Sequence, residues 1–275
     1  MNKNNIIIDF HTHIFTDSMA QKTVRMLSDE IDGIYPPVSD GTAAGLLKNM
    51  DGWHIDISVN QPIVTKQSQT KSINEWAAGV DRDYPGKIIS FGGIFPHTED
   101  YKRDIDFVVS LGLKGLKFHA EYQDFIIDGE KMLKIYDYAF SKNLIILHHA
   151  GFDPAFPEPF KSNPKRFAHI IREMRGGIMV AAHLGGHAQW DEVENELCGT
   201  DIYLDTSMGF EFFSKEQFLR IVKKHGADKI LFASDAPWSN AGTEVEHLKS
   251  LPPSEISESE LHMILSGNAK RILKI

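Results

Sequence analysis

Eight short apolar, β-rich runs alternate along this chain with longer stretches whose apolar residues recur every three or four positions. The runs are Ile6–Phe10, Ile55–Val59, Ile88–Ile94, Leu113–Phe118, Leu144–Leu147, Ile178–Ala182, Ile202–Leu204 and Ile230–Ala233. Helical periodicity falls between them, as at Ser72–Tyr84, Asp100–Leu111, Glu130–Lys142, Pro164–Arg175 and Lys215–His225. Parallel strands need a crossover long enough to hold a helix, so this alternation indicates βαβ units and a parallel sheet. An open, dinucleotide-binding sheet would carry a glycine-rich turn after its first strand, whereas here that turn reads HTHIFTD. The predicted fold is therefore α/β, a single (β/α)8 TIM barrel occupying residues 1–275 as one domain, a length that suits it.

Composition narrows the partners. With 42% hydrophobic and 24% charged residues the chain can bury a large core. Its net charge of −9, without a Lys/Arg cluster, argues against nucleic acid or an anionic membrane and for a small-molecule substrate. The N-terminus shows no secretory leader or membrane anchor, so a cytoplasmic location is expected. Cys198 is the single cysteine, which excludes an internal disulfide and leaves His, Asp and Glu as metal ligands. Two proline-rich stretches, Ile34–Val38 and Phe152–Pro164, are expected to form walls or lids over a site. A homodimer is the default assembly for such a barrel.

The chain has 13 histidines, and several directly follow apolar runs: His11 and His13, His119, His148 and His149, and His183. Asp235 follows the eighth run. All strand C-termini of a parallel barrel open on one face, so these groups should converge there. Residues two apart share a strand face, which lets His11 and His13 offer two imidazoles to one ion. The same parity groups Lys117 with His119, Ala181 with His183, and Ala233 with Asp235. Imidazole and carboxylate donors suit Zn2+ first, and also Mn2+, Fe2+, Co2+ or Ni2+. His119, Tyr122, Gln123, His187, Trp190 and Trp238 are candidates for contacting substrate, one whose carboxylate or lactone would suit a hydrogen-bonding rim. Ser234 lies on the face opposite Asp235 by the same parity and is read as supporting the turn.

The segments DFHTH, KGLKFHAEYQ, LHHAG, AAHLGGHAQWDEVE, IYLDTS, LFASDAPW and SGNAKRIL resemble, in order, landmarks of the amidohydrolase superfamily, in the amidohydrolase-2 branch related to aminocarboxymuconate-semialdehyde decarboxylase. The resemblance implies one divalent metal held by His11, His13, a fifth-strand histidine and Asp235, with His183 beside the bound water. It favours His149 over His148, because His149 directly precedes Ala-Gly. It also implies a structural or substrate-facing Lys117, since the branch usually works with one metal, although many superfamily members carboxylate a lysine in this place to bridge two.

Bound metal would lower the pKa of water to about 7 and polarise a carbonyl. His183 would then manage the proton, and Asp235 would bind both metal and water. Hydrolysis of an amide, lactone or ester-like bond is the first functional expectation. Non-oxidative decarboxylation of an unsaturated or aromatic acid is the alternative, and an inactive metal-binding scaffold is the third reading. No GxSxG elbow is present to support a nucleophilic triad.

Overall fold

The computed structural model describes residues 6–174 and 176–275. Each predicted apolar run overlaps a strand: β1 (Ile8–Thr12), β2 (Ile57–Asn60), β3 (Ile88–Ser90), β4 (Gly115–Phe118), β5 (Ile145–His148), β6 (Ile178–Ala181), β7 (Tyr203–Asp205) and β8 (Ile230–Leu231). They pair in parallel in sequence order, as β1-β2-β3 and as β4-β5-β6-β7-β8. Backbone bridges join the two groups at both seams, Gly92 to Leu116 and Thr12 to Ala236. The Phe10 N–H also donates to the Phe232 carbonyl at 2.9 Å. These links close an eight-stranded barrel.

The crossovers carry α1 (Asp17–Glu30), α2 (Ala43–Trp53), α3 (Thr70–Asp83), α4 (Tyr101–Ser110), α5 (Glu130–Ser141), α6 (Pro164–Glu173), α7 (Trp190–Glu196) and α8 (Lys215–His225). After β8 come α9 (Ala241–Lys249), α10 (Glu258–His262) and α11 (Asn268–Leu273). Local chemistry fixes several starts. Asn163 accepts from the Arg166 N–H with Pro164 next to it in the first turn, and Ser214 accepts from the Gln217 N–H. Arg175, the predicted end of α6, lies outside the described residues, as do residues 1–5, on which the N-terminal reading partly rests. No helix among the described residues is long and apolar enough to cross a membrane.

Strand alternation divides the core in two. Ile8, Phe10, Val59, Ile145, Leu147 and Val180 belong to an inner cluster, closed by Ala269, Ile272 and Leu273 of α11. Leu116, Phe118, Ile146, Ala181 and Leu204 face the helices, against Ile105, Ile135, Phe167 and Phe218. Lys117, between Leu116 and Phe118, therefore points inward. The β1–β2 register shifts between Asp9 and Thr12, and this irregularity lets His11 reach the site although strict alternation would turn it away from the side of Ile8 and Phe10.

Candidate active site

One cavity of about 840 Å³ opens at the C-terminal ends of the strands, and His11, His13, Lys117, His119, Tyr122, His149, His183, His187, Asp235 and Trp238 all line it. Three of these bring donor atoms together. His11 Nε2 and His13 Nε2 are 3.1 Å apart, and Asp235 Oδ1 lies 3.3 and 3.2 Å from them. Bonds of about 2.0–2.1 Å in a tetrahedral shell put neighbouring donors about 3.3–3.4 Å apart, so this trio fits a divalent ion. The Asp235 Oδ1 atom is buried without a hydrogen-bond partner, as a carboxylate oxygen available to a cation would be.

A single carboxylate orders the imidazoles. Asp205 Oδ2 lies 3.0 Å from His11 Nδ1, so that nitrogen carries the proton and the Nε2 lone pair faces the cavity. Asp205 Oδ1 accepts from Ser207 Oγ at 2.5 Å, which leaves Ser207 to accept from His183 Nδ1 at 2.9 Å. His183 Nε2 is then free to accept from His149 Nδ1 at 3.0 Å, and His149 Nε2 ends the chain as a buried, unpartnered lone pair. Asp205 thus sets the tautomers of three histidines.

His149 itself sits apart from the His11, His13 and Asp235 trio. It falls in a second buried group with His119 and Asp153, where His119 Nε2 is 3.2 Å from Asp153 Oδ2. The His119 and His149 rings stack at 4.1 Å and 15°, so their nitrogen lone pairs lie in two nearly parallel planes. His148 faces the other way. It packs among Phe118, Tyr136 and Phe167 behind the strand, and neither of its ring nitrogens has a partner.

Several expectations about aim need correction. Gln123 does not line the cavity: its Oε1 accepts from the His119 N–H, and its Nε2 donates to the carbonyls of Val64 and Ile94. It clamps loops, with both amide N–H donors used on backbone carbonyls. Trp190 is likewise outside, donating its indole N–H to the His183 carbonyl. Strand parity does not aim His183 or Asp235, because β6 ends at Ala181 and β8 at Leu231. Turns present both residues instead, with left-handed φ values of 57° and 71°. Ser234 supports its turn as expected, donating to Asp9 Oδ2 at 2.5 Å.

Burial governs the protonation states. It pushes His11, His149 and His183 well below the ordinary histidine range, and neighbouring cationic groups add to the shift, so all three are neutral at neutral pH. Burial also lowers Lys117 to about 8, against the attraction of Asp235 and Asp205. Its Nζ lies 2.8 Å from His11 Nε2. For Asp235, burial alone would raise the carboxyl, but His11, His13 and Lys117 outweigh it and the net shift is downward. His187, lowered to about 4 chiefly by burial, meets the Tyr35 hydroxyl at 3.2 Å. Its loop is held against β5's exit, where a Cβ on Gly151 would come within 2.4 Å of the His187 nitrogen.

The whole described barrel is covered by one family model, Amidohydrolase, which matches residues 8–275. The chain belongs to the amidohydrolase family. Solved structures similar to this amidohydrolase include the 5-carboxyvanillate decarboxylase of Novosphingobium aromaticivorans, complexed with manganese and 4-hydroxy-3-methoxy-5-nitrobenzoic acid. It is 15% identical over 100% of this chain and 97% of that one, with a TM-score of 0.75. A 2,6-dihydroxybenzoate decarboxylase with bound 2,6-dihydroxybenzoate is also 15% identical, covering 98% and 100%, at 0.72. An Acinetobacter baumannii protein assigned as a 2-pyrone-4,6-dicarboxylic acid hydrolase, with citric acid bound, shares 15% over 98% and 100%, at 0.66. At such identities the likeness shows the fold. No curated protein sequence matches the chain.

Asp205, Ser207, Asp153 and Tyr35 were not among the residues singled out from the sequence. Asp205 carries the same signal as the histidines, a polar group at the end of an apolar run, within IYLDTS.

Proposed function

We propose that this amidohydrolase is a metal-dependent, non-oxidative decarboxylase of a small aromatic or unsaturated carboxylic acid. The observation that carries the proposal is the polarity of the cavity: a buried lysine and the donor trio at its floor, beneath walls that include Ile14, Phe15, Ile63, Phe152 and Met208. A carboxylate drawn to that floor loses water, while the charge that spreads into a ring or enol as carbon dioxide departs is disfavoured less by apolar walls. Hydrolysis, the first expectation from sequence, gains less from such a site because it needs water held there. The similarity to two decarboxylases of hydroxylated aromatic acids supports the same choice.

His11, His13 and Asp235 would hold the ion, with His149 Nε2 as the fourth donor once its ring turns from His119. The donor set can take manganese as well as zinc, the choice resting on geometry and availability rather than on raw affinity. Bound there, a divalent ion supplies Lewis acidity toward a substrate oxygen. Lys117 would neutralise the incoming carboxylate. His183, held at Nδ1 by Ser207, would take up a proton from solvent at its Nε2 lone pair and pass it to the carbon that keeps the electron pair of the broken C–C bond. His119, Tyr122, His187 and Trp238 would border the substrate.

The reaction is tested on a panel of hydroxybenzoic and unsaturated acids, alongside lactones and amides, with manganese or zinc added. The proposal expects carbon dioxide in proportion to acid consumed. Release of titratable acid without carbon dioxide would return the site to hydrolysis.

A further inference from the structure

The cavity extends well beyond what a small carboxylate at the donor trio needs. Its volume of about 840 Å³ lies toward the upper end of the ~300–1,000 Å³ usual for small-molecule pockets. Two helices supply the extra wall. On α1, Met19, Thr23, Met26, Leu27 and Glu30 line the cavity at positions i, i+4, i+7, i+8 and i+11, one stripe of the helix, while Ala20 and Val24 beside it pack into the core. On α3, Gln69, Ser72, Ile73 and Trp76 do the same at i, i+3, i+4 and i+7. Ala77, Ala78 and Val80 give α3 its own core face, with Trp76 packed against the edge of that core, whereas none of the α1 stripe belongs to the core clusters.

The α1 stripe is costly to leave uncovered. Met19 and Met26 are 48% and 47% exposed although both face the cavity. Unbranched thioethers suit a surface that must fit an apolar partner of variable shape. Cationic side chains are sparse at this end: among the described residues the exposed Lys66, beside the α3 stripe, is the one lining lysine besides Lys117, and no arginine lines the cavity. Glu30, at the end of the α1 stripe, accepts from the Tyr122 hydroxyl at 3.1 Å and adds negative charge.

We infer that the cleft between α1 and α3 is a binding subsite for an uncharged apolar extension of the substrate, such as an alkyl chain carried on a ring whose single carboxylate faces the donor trio. This inference rests on the reading of the trio as the reacting end. It assigns the substrate as an amphiphilic monoacid and disfavours a dicarboxylate.

The test uses 4-n-alkylbenzoates from methyl to hexyl, titrated calorimetrically into the manganese-loaded protein. Burial of each methylene should tighten Kd by about three- to fourfold, giving about 200- to 1,000-fold over the five methylenes from methyl to hexyl. Met26→Glu, at a half-exposed position, should cut the hexyl-to-methyl affinity ratio by about tenfold or more, and Trp76→Ala should also reduce it. A flat wild-type series, or a ratio unchanged in both variants, overturns the subsite. A steep series without carbon dioxide release from any acid keeps the subsite and removes the reaction. Carbon dioxide release with a flat series does the reverse, and failure of every member to bind overturns both.

Discussion

Asp205 Oδ2 and His11 Nδ1 lie 3.0 Å apart with both side chains fully buried, so one strand-end carboxylate fixes which nitrogen of the first-strand imidazole faces the cavity. Asp205→Asn keeps the shape but can present an amide N–H to His11 and invert that choice. We expect metal affinity to fall by about 10–100-fold, the usual cost of losing such a supporting carboxylate, with the fold retained. Competition with a chelator, followed by circular dichroism on the same samples, measures both. Unchanged affinity would remove Asp205 from the site.

The two adjacent histidines of β5 should separate cleanly. His148 is boxed in by aromatic rings with both nitrogens unpartnered, so His148→Phe should keep metal and hold or raise Tm. His149→Phe removes a lone pair at the cavity and should lose metal. Metal analysis and thermal melts of the pair decide it, and loss of metal from the His148 variant alone would reverse the assignment.

His183→Asn should leave metal content near wild type while kcat falls by about 10²–10⁴, the worth of a general acid or base. The same variant losing its metal would make His183 a ligand and move proton transfer to another group.

Much of this was legible in the chain. The eight runs all overlap strands because continuous β-branched segments are what a doubly covered parallel strand demands. Histidines placed just after those runs reached the cavity, apart from His148, because the barrel brings every strand end to one face. The exact aim was not legible. His183 and Asp235 are turned inward by left-handed residues beyond the strands, and the register shift in β1 redirects His11, so two-residue parity reached a correct neighbourhood by an incomplete route. Gln123 failed because a side chain amide at a strand end can serve backbone groups as well as substrate, and only the surrounding loops decide. Asp205 was overlooked because its role depends on partners 194 residues away at His11 and 22 away at His183.

Glu244 gives a pH dependence independent of the metal. Burial raises its carboxyl to about 7 even though it accepts the Phe210 N–H, and Glu211 pushes in the same direction. The unfolded chain would titrate near 4.5, so between those values the folded protein binds more protons. Stability from this group is full below about 4.5 and declines as pH rises through about 7, by on the order of 3 kcal/mol. Glu244→Gln should therefore melt higher than wild type at pH 8.5 and about equally at pH 5. Parallel melting curves in both proteins would show that the carboxyl is not protonated in the fold.

Metal chemistry at this site requires the His11, His13 and Asp235 trio to hold one ion. Elemental analysis of purified protein, after exposure to manganese or zinc and removal of free metal, tests this directly. The prediction is close to one divalent transition metal per chain in wild type and close to none in His11→Ala. A wild-type protein with no tightly bound metal contradicts the account, and two ions per chain would do so as well, by making Lys117 a bridging ligand.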